Sequence, residues 1–138
     1  MTLLDSDHYL RNVGRSKIDG TTVDGSAFRL RAEDIDGLSG NWQEYFGDIP
    51  IEDVLNRIRA AYAAKQRAIG ATSKFVCLNI GITRRFVKEK TKVEISFNHT
   101  PDMPHDPSHA SILGYNPGDD IVADRIAQTV QALFPGRG

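Results

Sequence analysis

Three of the four histidines fall within eleven residues, in the stretch Asn98-His99-Thr100-Pro101-Asp102-Met103-Pro104-His105-Asp106-Pro107-Ser108-His109. Imidazole and carboxylate are the side chains that hold zinc and related divalent cations and that move protons near neutral pH. His99, Asp102 and His105 are therefore the candidate metal ligands. His109, His105 and Asp106 are the candidate acid–base groups of a small hydrolase.

Spacing limits both possibilities. Pro101, Pro104 and Pro107 recur at every third position, and each pushes the residue before it into an extended conformation. In a polyproline II segment His99, Asp102 and His105 share one edge but stand roughly 9 Å apart in succession. Atoms bound to one ion at about 2 Å must lie much closer together. Only a compact turn around Asp102 to Pro107, or ligands from elsewhere in the chain, gathers a metal site. The alternative is an ordered crossover between two strands, its histidines hydrogen-bonded to local backbone and His109 holding its shape from the start of a strand. Ser108-His109 is no catalytic dyad by adjacency, because neighbours on an extended chain point to opposite faces. No G-x-S-x-G, H-E-x-x-H or C-x-x-C pattern is present.

Charge is the second feature. The formal net charge of −1 conceals a net of −6 over residues 1–56, +9 over 57–92 and −4 over 93–138. The basic block includes Arg57, Arg84, Arg85 and Lys88. Such a cluster can follow a nucleic-acid backbone or meet an acidic protein surface. It can equally be neutralised within the chain by the acidic segment that precedes it. Aromatic residues in the block, which would stack on single-stranded bases, are few. Arg29 and Arg31 alternate with Phe28 and Leu30, as on an edge strand with a charged outer face or as a ligand-binding pair.

The elements that must position these residues are legible in part. Asp48-Ile49-Pro50 reads as a helix start, with Asp48 as the cap. Ile51, Val54, Leu55, Ile58, Ala61 and Tyr62 form its apolar stripe, and Gly70 marks its stop. A second helix opens at Asn116-Pro117-Gly118-Asp119 and carries Val122, Ile126, Val130, Leu133 and Phe134 to Pro135-Gly136. Phe75 to Ile82 is apolar enough for a strand covered on both faces, with Gly81 at a close backbone approach or bulge. Val93, Ile95 and Phe97 alternate with Lys92, Glu94 and Ser96 as a half-buried strand. Ala110 to Tyr115 is a shorter strand, and Arg84 to Thr91 is a broad turn or a single helical turn.

The first 47 residues, punctuated by glycines, read as a looped arm with only short strands such as Ala27 to Arg31. The expected fold is α+β: a single domain with a small, mostly antiparallel sheet, two helices packed on it and that arm. At 138 residues with 40% hydrophobic side chains, the chain is long enough to bury a core. The lone Cys77 excludes an internal disulfide and reads as an inert buried thiol. No leader-like or membrane-spanning run is seen, so a cytoplasmic location is expected, with no membrane partner.

Ser26-Ala27-Phe28-Arg29, Asp36-Gly37-Leu38-Ser39 and Pro107-Ser108-His109-Ala110-x-Ile112 resemble patterns shared by a loosely related set of short bacterial proteins without an assigned activity. The resemblance implies no catalytic residue. It implies that Phe28, Arg29, Leu38, Ser39 and His109 share one surface or small core. The expected function is a non-enzymatic accessory or interaction domain with a protein partner or self-association, for which the edge Lys92 to Asn98 is the candidate surface. The alternatives are the histidine- or metal-dependent hydrolase and nucleic-acid binding through the basic block. No cofactor is specified.

Overall fold

Phe75 to Leu78 are buried on alternate faces of a sheet, which is why four apolar residues run in succession there. The computed structural model describes residues 1–138. In chain order it contains β1 (His8–Val13), β2 (Ile18–Asp19), β3 (Thr22–Val23), β4 (Leu38–Trp42), α1 (Ile51–Ala64), β5 (Lys74–Asn79) and α2 (Ile80–Thr91). β6 (Ser96–His99), β7 (His109–Leu113), α3 (Asp120–Ala127) and β8 (Ala132–Pro135) complete it, and 3-10 turns occupy Arg15–Lys17, Gly25–Phe28 and Gln43–Phe46. Six strands form one sheet in the order β6-β7-β4-β1-β5-β8, and every pairing is antiparallel. β2 and β3 form a separate hairpin. The fold is α+β.

Each face of the sheet carries its own core. Tyr9, Val76, Leu78, Phe97 and Ile112 pack with Val87 of α2 and with Val122 and Ile126 of α3. On the other face Leu10, Phe75 and Cys77 meet Val54, Leu55 and Ile58 of α1. Burying a side chain of this size contributes about 1.5–3 kcal/mol, so the α1 stripe alone accounts for its docking. No helix is long and apolar enough to cross a membrane.

Several elements differ from the sequence expectation, each for a local reason. The first 47 residues are rich in turns, yet they also supply β1 and β4, the two strands at the sheet's middle. The stretch Ala27 to Arg31 is not a strand; its start belongs to the 3-10 turn Gly25–Phe28, capped by the Asp24 carboxylate accepting from Ser26 N. Arg84 to Thr91 lies inside a twelve-residue helix that begins directly after β5, because the Asn79 side chain caps it by accepting from Ile82 N at 2.9 Å. Gly81 is a close backbone approach: its N–H donates to Asp5 O at 3.0 Å, and a Cβ there would lie 2.8 Å from that of Asp5.

α3 opens where expected, with Asp119 accepting from Val122 N, but it stops at Ala127. Leu133 and Phe134 belong instead to β8, where they pair with Val76 and Phe75. α1 starts beyond Pro50, and Asp48 does not cap it. It ends at Ala64, well short of Gly70. Gln66 adopts a left-handed φ of 57° and Arg67 N returns to Tyr62 O at 2.9 Å, closing the helix in a Schellman-type turn.

Candidate functional site

The helix-ending turn after α1 aims Lys65 and Arg67 at two different places, and both matter. Lys65 Nζ donates to Asp106 at 2.6 Å and reaches the exposed Asp102 at 3.4 Å. Arg67 stands 5.1 Å over the Tyr62 ring and lines a cleft on the other side.

The proline and histidine segment is a tight loop joining β6 to β7. Asp102 and Asp106 exchange backbone hydrogen bonds at 3.0 and 2.8 Å, and the Met103–Pro104 peptide between them is cis. Asp106 is 1% exposed; besides Lys65 it accepts from Asn41 Nδ2 at 2.8 Å, and the same amide reaches Ser108 Oγ at 2.9 Å. His109 begins β7, and its Nδ1 lies 2.9 Å from Thr100 O and 3.0 Å from Thr100 Oγ1. His99 Nε2 lies 2.7 Å from Pro107 O, with its ring against Trp42 and Tyr45. His105 is exposed and its side chain makes no hydrogen bond.

The predicted chemical residues are thus near one another in sequence but not assembled. His109 and His99 spend ring nitrogens on the loop's own backbone, Asp106 faces Lys65 and Asn41, and His105 points away from any partner. No three His, Cys, Asp or Glu side chains stand together in a way that would hold a metal ion. What the loop does possess is a buried polar anchor, Asp106 with its donors, that pins it to β4 and α1.

The cations show a clearer pattern. The basic block does not form one patch: α1 and α2 lie on opposite faces of the sheet, and five of its ten cations have carboxylate partners. Arg84 and Arg85 face Asp5 at 2.9 and 3.8 Å, Lys88 faces Glu94 at 2.6 Å, and Arg59 faces Glu52 at 3.4 Å. Arg57 packs over the Phe46 ring. The Lys88–Glu94 contact holds the Glu94 carboxyl below its ordinary range.

The real concentration of positive charge lies elsewhere. β1 and β4 hydrogen-bond only at Tyr9↔Trp42 and Leu10↔Asn41, while β4 continues beside β7 through Leu38. Beyond Leu10 the two strands part, and the Arg11 guanidinium enters the gap, donating to Ala27 O and Ser39 O. The opening that follows is a cleft of about 460 Å³ whose lining includes Arg11, Lys17, Arg29, Arg31 and Arg67 and a single carboxylate, Asp34. The hydrogen bond from Arg31, with its charge, holds Asp34 below the ordinary carboxylate range. Arg29 pairs with Asp120 at 2.7 Å. Arg11, Lys17 and Arg67 have no carboxylate partner; Lys17 Nζ is turned to Ser26 Oγ at 3.1 Å.

Of the binding residues expected from sequence, only Arg29 is part of this cleft. Arg84, Arg85 and Lys88 border a smaller opening of about 190 Å³ shared with Asp5 and Glu94. Arg11, Lys17 and Arg67 do not stand out as a group in the sequence, because they lie up to 56 positions apart and in segments of opposite overall charge. The one available signal was Arg29 alternating with Arg31. Phe28 and Leu38 share a core, and Arg29 and Ser39 line the cleft, whereas His109 pairs with Asn41 on the neighbouring strand. Comparison with protein families, with curated proteins and with solved structures finds no match to this chain.

Proposed function

We propose that the protein is a cytoplasmic, non-enzymatic accessory module that holds the anionic groups of a partner in the cleft between β1 and β4. The observation that supports it is the convergence of five cations around one opening that contains a single carboxylate. Like charges so placed repel one another, and an anionic guest removes that cost. Arginine, which makes up four of the five, offers a planar fork that fits carboxylate and phosphate oxygens.

Binding to phosphocellulose at low salt tests this role. The wild-type chain is retained, Arg29→Gln/Arg67→Gln elutes at lower salt, and Arg84→Gln/Lys88→Gln elutes with the wild type. Equal elution of all three overturns the assignment to the cleft. Turnover of simple ester or phosphoester substrates that disappears in His109→Ala would overturn the non-enzymatic half in favour of a hydrolase.

Nucleic acid is the second candidate partner, on one observation. Lys17 lines the cleft, and Arg15, in the same turn, lines a neighbouring opening of about 500 Å³ that also includes Lys74. A strand reaching from one to the other would meet cations in both, with Asp19 among them in the second, and its affinity would fall steeply with salt. Titration with single-stranded DNA and RNA across a salt series checks this.

A further inference from the structure

We propose that the β1–β4 cleft is a site for a compact, multiply phosphorylated small molecule; this rests on the anion-binding role above and narrows it. The cleft's volume, about 460 Å³, falls within the roughly 300–1,000 Å³ typical of small-molecule sites. Five cations line it with Asp34, and just outside the lining Asp120 faces Arg29 at 2.7 Å and Glu33 faces Arg31 at 3.4 Å, so an excess of two positive charges remains. A single carboxylate satisfies one arginine fork; a chain or ring of phosphates satisfies several at once.

The wall chemistry points the same way. Only Val13, Ala27 and Leu38 are apolar, and no aromatic ring lines the cleft. A nucleobase would find no face to stack on, and a hydrocarbon no wall to cover it. The cations come from separate parts of the chain: Arg11 from β1, Lys17 from one 3-10 turn, Arg29 and Arg31 from beyond another, and Arg67 from the exit of α1. Cations drawn from four separate segments thus meet at one opening of small-molecule size, which suits a short ligand.

Three of the five charges are also available, Arg31 being held by Asp34 and Glu33 and Arg11 by two backbone carbonyls. Arg29 and Asp120 are about half exposed, 48% and 58%, and a solvated pair of that kind is worth at most about 1 kcal/mol. A phosphate can displace it. Lys17 and Arg67, lacking any carboxylate, need no displacement at all.

Isothermal titration of the full chain with sodium tripolyphosphate at low salt tests the proposal. One site is expected, at least about tenfold tighter than orthophosphate, weakened about tenfold or more by Arg67→Gln or Lys17→Gln. Both variants keep the wild-type melting temperature, Asp34→Asn binds tighter, and Arg84→Gln binds as wild type. Tripolyphosphate no tighter than orthophosphate, or unchanged in both cleft variants, overturns the proposal. If a short oligonucleotide or an acidic peptide then binds through the cleft, the ligand class fails and the anion-binding role stands. If no polyanion binds, both fail. A phosphorylated lipid headgroup offers the same chemistry. Cosedimentation with vesicles containing phosphatidylinositol bisphosphate, competed by tripolyphosphate, identifies that source, and its absence identifies a free metabolite.

Discussion

Lys65 Nζ and the Asp106 carboxylate meet at 2.6 Å with side chains 12% and 1% exposed, so the end of α1 and the β6–β7 loop are joined by an ion pair largely removed from water. Asn41 of β4 supplies the second donor to the same carboxylate. Removing one member of such a pair leaves a buried charge without compensation, which costs about 3–5 kcal/mol. Lys65→Met is therefore expected to lower stability by about 3 kcal/mol in urea unfolding, with Lys65→Met/Asp106→Leu recovering part of the loss. A loss below about 1 kcal/mol would show the pair to be solvated.

Gly40 lies in β4 next to the last pair that strand makes with β1, Leu10 and Asn41. A Cβ there would meet the Tyr9 ring and lie 2.6 Å from the Leu10 carbonyl oxygen, which is backbone and cannot turn aside. Tyr9 is itself fixed, donating its hydroxyl to Leu38 O at 2.7 Å. Gly40→Ala should cost about 2–3 kcal/mol in denaturant unfolding by forcing the strands apart. An unchanged midpoint would contradict the close approach.

This close approach also shows why β1 and β4 are hard to see in the sequence. Gly40 and Asn41 look like loop residues, but the first is demanded by the Tyr9 ring and the second by Asp106 and Ser108, both distant in sequence. Arg11 occupies a strand position as a donor to two carbonyls, so β1 lacks alternation. In contrast, α1 and β5 were legible, because the helix has one apolar stripe and the strand is buried on both faces. Val130, Leu133 and Phe134 continue the spacing of α3 by coincidence; pairing with β5 makes the last two a strand. The cleft was legible only through Arg29 and Arg31, since Arg11, Lys17 and Arg67 join them through tertiary structure alone.

Burial, with the nearby Glu44 charge adding to it, pushes the Cys77 thiol from 9.0 up to about 12. The fold thus favours the protonated thiol. Its contribution is complete below pH 9.0 and is lost as pH rises toward about 12, because the unfolded thiol ionises first. Iodoacetamide at pH 8 should leave the native protein unmodified and label it rapidly in urea. Rapid native labelling would contradict the burial. Cys77→Ala should show a shallower loss of stability across that alkaline window.

The outer edge of β6 is not free for self-association, because the chain's own first residues cover it. Leu3 N donates to Phe97 O at 2.8 Å and His99 N to Met1 O at 2.8 Å, with Thr2 opposite Asn98. Deleting residues 1–3 exposes this row of backbone groups. Light scattering should then show a larger, concentration-dependent mass than the full chain gives. Equal masses at every concentration would mean that the edge has no tendency to pair.

The cleft is the centre of the functional account, and locating an anion on the molecule tests it most directly. In ¹H–¹⁵N spectra titrated with sodium tripolyphosphate, the amides of Asn12, Gly14, Ser26 and Ser39, which line the cleft, should shift together and saturate. Shifts confined to the Arg84 to Lys88 side of the molecule, or no saturable shifts at all, would contradict it.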